Sequence, residues 1–158
     1  ERVTTELEAG FTRGAGETIL VVDDEEMIRD LGREVLERFG YHVLTAQDGE
    51  SALELYQREG ARIDLVILDL SMPGMDGMEA LKHLLSENPD LQIIVLTGFA
   101  SIEKGVEAIK LGDMNFLKKP TELQELVEQI QRAKDKKMVL VEKRMEEKMH
   151  DILQRKSW

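Results

Sequence analysis

The chain has 158 residues, 34% charged and 42% apolar, which suits one soluble globular domain with an appendage. Its net charge of −11 argues against binding nucleic acid through this domain, since that requires a basic footprint. The absence of Cys excludes disulfide and thiol chemistry, and with no signal peptide and no apolar run of membrane-spanning length a cytoplasmic protein without membrane contact is expected.

Residues 1–16 are polar and hold Gly10, Gly14 and Gly16, and read as a flexible linker. This glycine run is not a phosphate loop, because no strand precedes it and no Gly-Lys-Ser/Thr follows. Thr18 to Val22 is the first apolar run and ends in Asp23-Asp24. Met27, Ile28, Leu31, Val35, Leu36 and Phe39 then recur at helical spacing, and Gly40 stops the helix. Tyr41 to Ala46 reads as a second strand. Asp48 can cap a helix whose apolar face is Ala52, Leu53, Leu55 and Tyr56. The stretch from Ile63 is a buried strand that delivers one carboxylate, Asp69, before Met-Pro-Gly breaks it. Asp76 precedes a helix with Met78, Leu81, Leu84 and Leu85, ended by Asn88-Pro89. Leu91 to Leu96 is a fourth strand, and Ser101 can cap a helix with Ile102, Val106, Ile109 and Leu111. Met114 to Leu117 is a short fifth strand before Lys118-Lys119-Pro120, and a last helix starts near Thr121.

Strict strand–helix alternation predicts an α/β fold: a doubly wound parallel sheet with helices on both faces and right-handed crossovers. The informative polar residues then stand at one edge of the sheet, where ligands of such folds bind: Asp23, Asp24, Asp69, Thr97 and Lys119. Each has a bland reading alone, as a cap, a strand end or a solvated loop. Five at one edge are hard to reach by coincidence. Three converging carboxylates repel one another and invite a hard divalent cation such as Mg2+, which takes oxygen ligands and commonly bridges carboxylate to phosphate. Lys119 and Thr97 opposite such a metal add a positive charge and a hydroxyl donor. A carboxylate can accept a covalent phosphoryl group, and metal plus Lys would offset the charge that builds during transfer. The residues therefore describe a site that makes and holds an aspartyl phosphate.

From about Glu17 to Arg132 the chain resembles the receiver domain of two-component response regulators. The matching stretches are I-L-V-V-D-D-E, L-V-I-L-D-L-S-M-P-G-M-D-G, I-I-V-L-T-G and F-L-K-K-P. The resemblance implies a flavodoxin-like fold with five strands in the order 2-1-3-4-5, and a function as a phosphoacceptor switch served by a sensor histidine kinase or phosphotransfer protein. It implies Asp69 as phosphoacceptor, Asp24 as a direct metal ligand, Asp23 acting largely through water, and Ser71 offering its backbone carbonyl. Thr97 and Lys119 would hold the phosphoryl oxygens, with Phe116 as the switching aromatic. Asp113 stands where the family usually has Ala, and Lys118 doubles the Lys before Pro120. Three rival functions are weaker. A metal-dependent phosphatase with an Asp nucleophile places a second Asp two residues on, where this chain has Ser71. A phosphorylation-independent scaffold does not need the acidic set, and a flavin protein would not place Asp-Asp-Glu-Glu against phosphate.

The expected domain division is linker 1–16, receiver 17–133 and helical extension 134–158. The extension carries eight basic and five acidic residues, so a tail of +3 follows a body of −14. Val127, Ile130, Lys134, Met138, Val141, Met145, Met149 and Ile152 recur with an eleven-residue period, which suits a nearly straight or slightly right-handed helix pair. The expectation is a homodimer through this helix; the rival is an amphipathic helix folded back on the domain. His150 reads as a solvated or seam-edge residue, because the Pro that follows a sensor-kinase His by five residues is replaced by Arg155.

Overall fold

The computed structural model describes residues 14–70, 77–97, 115–118 and 123–156. The helix expected from Ser101 lies outside the described residues, as do Ser71 and Lys119. β1 (Thr18–Val22), β2 (His42–Ala46), β3 (Ile63–Asp69), β4 (Gln92–Thr97) and β5 (Asn115–Lys118) form one sheet in the order β2-β1-β3-β4-β5. Every pairing is parallel. Helices α1 (Glu26–Arg38), α2 (Gly49–Glu59), α3 (Gly77–Glu87) and α4 (Leu123–Lys156) complete the described elements, with a 3-10 turn at Gly60–Arg62. This is the expected flavodoxin-like α/β fold.

Side chains alternate along each strand, so the sheet has two cores. On one face Leu20, Val22, Val66, Leu68 and Val95 pack with Ala52, Tyr56, Leu81 and Leu84 from α2 and α3. On the other, Ile19, Val21, Ile67 and Ile94 pack with Leu36 and Phe39 of the α1 side and with Ile130 and Ala133 of α4. A central strand buried on both faces explains why β3 reads as an almost unbroken apolar run. Asp48 caps α2 as expected, accepting from the Ser51 N–H at 2.7 Å.

Part of α1 departs from expectation. Met27 and Leu31 were counted on its inner face, yet they are 83% and 62% exposed. The stripe that meets the sheet runs through Gly32, which faces Val21, to Leu36 and Phe39. At about 100° per residue, Leu31 and Met27 fall a quarter turn or more to one side of that stripe.

The entry to β1, the turn before β2 and helix α4 meet at one corner. The Gly14 N–H donates to the Phe39 carbonyl and the Gly16 N–H to the Gly40 carbonyl. Gly40 has φ +91, and a Cβ there would lie 2.6 Å from the Gly14 carbonyl oxygen, so both conformation and space demand glycine. Lys134 was expected to enter the helix-pair seam. Instead its Nζ lies 3.4 Å from Glu17 Oε1 and 5.3 Å from the centre of the Tyr41 ring. Burial pushes the Glu17 carboxyl up, but the Ala15 N–H and Lys134 outweigh it and the net shift is downward. Burial also raises the Tyr41 hydroxyl, against the pull of Lys134.

Lys134→Ala is expected to cost roughly 1 kcal/mol in urea unfolding at neutral pH, since it removes a partly buried ion pair and a cation–ring contact. A depressed carboxylate contributes stability above its ordinary value, here 4.5, and loses it as pH falls through the lowered one. The gap between parent and variant should therefore narrow in acid as Glu17 is neutralised. A gap independent of pH would leave the ion pair no part in it.

Candidate functional site

Parallel pairing aligns the carboxyl ends of β1, β3, β4 and β5. Val22 pairs with Leu68, Asp69 with Leu96, and Thr97 with Lys118. Asp23 and Asp24 follow directly on Val22, so their backbone is set down beside the end of β3. The Leu70 N–H donates to the Leu96 carbonyl at 3.0 Å, which carries the pairing one residue past Asp69.

Asp23, Asp24 and Asp69 each bring a carboxylate oxygen to within 4.8 Å of the others. Asp69 is 1% exposed and Asp23 is fully buried, whereas Asp24 is exposed. One oxygen of Asp23 accepts from the Glu25 N–H at 3.0 Å. Its backbone is held on both sides: the N–H donates to the Ala46 carbonyl at 3.1 Å, and the carbonyl accepts from Arg29 Nη1 at 2.7 Å. Arg29 was not foreseen from sequence; a basic residue on the first turns of a helix carries no signal that it reaches back to the strand end. The Asp24 carboxyl is shifted upward, by burial first and then by the charges of Asp23 and Asp69, against a hydrogen bond from its own backbone N–H. Since Asp24 is exposed, the repulsion from its two neighbours is the part a cation would reverse.

Of the other expected residues, Thr97 closes β4 and Phe116 lies within β5, in register with Val95. Lys119 follows directly on Lys118, the last residue of β5, and Ser71 lies two residues beyond Asp69, both outside the described residues. No helix among the described residues is long and apolar enough to cross a membrane.

Chemically, the cluster gathers oxygen donors and negative charge around one buried carboxylate. That donor set fits a hard divalent cation, which would be held by Asp23, Asp24 and Asp69. Nothing in the set suits a soft metal, which prefers Cys or Met.

Similarity to known proteins points the same way. Residues 19–131 match the family described as the response regulator receiver domain. The chain is 42% identical over 109 residues to response regulator MprA of Mycolicibacterium vanbaalenii, covering 69% of this chain and 46% of that one. It is 36% identical over 110 residues to sporulation initiation phosphotransferase F of Bacillus subtilis, covering 70% of this chain and 87% of that one. In structure it is similar to a response regulator receiver domain protein from Clostridium thermocellum, with a TM-score of 0.75 and 34% identity, over 78% of this chain and 98% of that one. The chain spans about half the length of the MprA-type relatives that it matches.

Proposed function

The chain belongs to the response regulator receiver family of two-component systems, and from that membership we propose that Asp69 is the residue that takes up the phosphoryl group. One observation carries the reading: a carboxylate buried to 1% exposure at the carboxyl edge of a parallel sheet, with two further carboxylates within 4.8 Å. So much negative charge gathered around a buried group costs stability unless a ligand repays it. In the proposed step an Asp69 oxygen forms a bond to phosphorus as the bond to the donor breaks. The donor is a phosphohistidine of a sensor kinase or phosphotransfer protein, and the imidazole leaves with the electron pair.

Mg2+ is the proposed cofactor; it supplies positive charge that offsets the charge developing on the phosphoryl oxygens. By likeness to the family Asp24 would be the direct ligand and Asp23 would act largely through water; the exposure of Asp24, and the Glu25 N–H already engaging buried Asp23, are compatible with those roles. The Ser71 carbonyl completes the set. Thr97 and Lys119 hold the phosphoryl oxygens, and Phe116 responds to the vacated space beside β4. Phosphorylation would then shift the population between two shapes of the surface around the helix expected from Ser101. The protein is a switch that assists only its own phosphorylation and dephosphorylation. The receiver is proposed to span 17–133, with 134–158 as a helical extension through which two chains pair.

Incubation with a small acyl phosphate and Mg2+ should add one phosphoryl group by intact mass, and a chelator should prevent it. A chain that gains no mass under either condition would overturn the reading. Metal binding has its own readout. A carboxyl whose folded value is raised contributes most below its ordinary value of 3.8, and that contribution is lost as pH rises through the raised value. At neutral pH the cation-free chain therefore carries unrelieved repulsion. Mg2+ should raise the melting temperature of the parent, while Asp24→Asn without Mg2+ should melt at or above the parent and respond weakly to the ion. Equal Mg2+ affinity in Asp24→Asn would remove Asp24 from the ligand set.

A further inference from the structure

Helix α4 runs unbroken from Leu123 to Lys156, but it belongs to two environments. Ile130 and Ala133 are buried in the domain core, and Lys134 is tied to Glu17 and Tyr41. Beyond that point Met145, Met149, Ile152 and Leu153 are 53–64% exposed. Four large apolar side chains open to water at one end of one helix call for a cover. A fold-back onto the chain's own domain would need a break in the helix, and α4 has none.

The charges beside the seam say which cover fits. The seam runs through Met138, Val141, Met145, Met149 and Ile152. At about 100° per residue, Glu142 and Glu146 fall on one side of it, with Asp135 above them. Lys137, Arg144, Lys148 and Arg155 fall on the other side, by similar angles. The arm thus has one acidic edge and one edge that is basic except for Asp151, which falls just outside Arg144. When two identical helices pair in parallel, the left edge of each faces the right edge of its partner; when they pair antiparallel, like edges meet. Parallel pairing sets acid against base along both sides of this seam. Antiparallel pairing sets acid against acid and base against base.

We propose that two copies of this chain pair in parallel along residues 138–152, so that both receivers stand at the same end of the pair. The proposal rests on the pairing of two chains through the extension and adds its direction. A second copy is favoured over an unrelated helix because it already carries both matching edges, and closed two-fold pairing is the commonest solution for identical chains.

The 158 residues hold no Cys, so single thiols report direction cleanly. Met138→Cys and Ile152→Cys, each oxidised alone, should both give disulfide-linked dimers, because like positions meet along a parallel pair. A mixture of the two variants should give little 138–152 cross-link. Arg144→Glu with Lys148→Glu makes both edges acidic and should weaken pairing about tenfold, as four edge contacts turn from attraction to repulsion. Mixing that variant with Glu142→Lys/Glu146→Lys should restore it. In an antiparallel pair the first double variant merely exchanges one like-charge edge for another and leaves affinity unchanged. Light scattering separates the two levels of the claim. A monomer, phosphorylated or not, overturns pairing and direction together. A dimer that cross-links only between 138 and 152 overturns the direction alone.

Discussion

Asp69→Asn should reduce phosphoryl uptake from an acyl phosphate by at least about a hundredfold, to background by intact mass. The amide keeps the shape of the carboxylate but has no anionic oxygen to form the bond to phosphorus. Neither neighbour can replace it. Asp23 is fully buried and has one oxygen engaged by the Glu25 N–H, while Asp24 is exposed on the loop after β1 rather than at the end of β3. The substitution also removes one of three clustered negative charges. The variant should therefore fold, melt at or above the parent without Mg2+, and lose uptake through chemistry rather than stability. Uptake at the parental rate would move the acceptor elsewhere. Loss of uptake together with a collapse in melting temperature would leave the chemistry unassigned to Asp69, so the melting curve belongs to the same experiment.

Gly77→Ala should destabilise the chain by about 2–4 kcal/mol in urea unfolding. Helix propensity predicts the reverse, since Ala is better than Gly by roughly 1 kcal/mol inside a helix. Sterics decide the sign. A Cβ on Gly77 would meet the Leu70 Cα, and it would lie 2.7 Å from the Asp69 carbonyl oxygen and 3.0 Å from the Leu70 carbonyl carbon. These are backbone atoms at the end of a central strand, and Leu70 is itself fully buried. They cannot give way as the tip of a flexible side chain can. The first turn of α3 packs directly against the peptide that follows Asp69, so relief of the clash would displace Asp69 itself. Uptake of phosphoryl groups should fall with stability. A Gly77→Ala chain as stable as the parent would show that the close approach does not exist.

Much of this architecture was legible because it rests on local pattern. β1 and β3 begin and end where their apolar runs do, and Asp48 caps α2 as its spacing suggested. The three clustered aspartates were legible for a related reason: each is a charged residue directly after an apolar run, and parallel pairing brings such ends together. What escaped was tertiary. Helical spacing placed Met27 and Leu31 on an apolar face, but only the sheet decides which flank of that face it covers. Lys134 fits the eleven-residue period as well as its neighbours do, and nothing local says that Glu17 and Tyr41 capture it. Gly77 reads as one more turn glycine in M-P-G-M-D-G, while its real constraint is the backbone of Leu70 passing beneath it.

Helix α4 has its root in the core and its tip in solvent, and that arrangement is a lever. From Ala133, buried against the sheet, to Lys156 the arm is about 35 Å long at 1.5 Å per residue. A tilt of about 5° at the root, well within what packed helices undergo when a domain changes state, would carry the tip roughly 3 Å sideways. The fulcrum would be the buried Ile130–Ala133 turn, beside which the Glu17–Lys134 contact ties the helix to the start of β1. A rearrangement beside Asp69 too small to disturb the core would thus be magnified at the far end of the arm into a displacement of the order of a side-chain diameter, enough to move an apolar knob from one hole to the edge of the next.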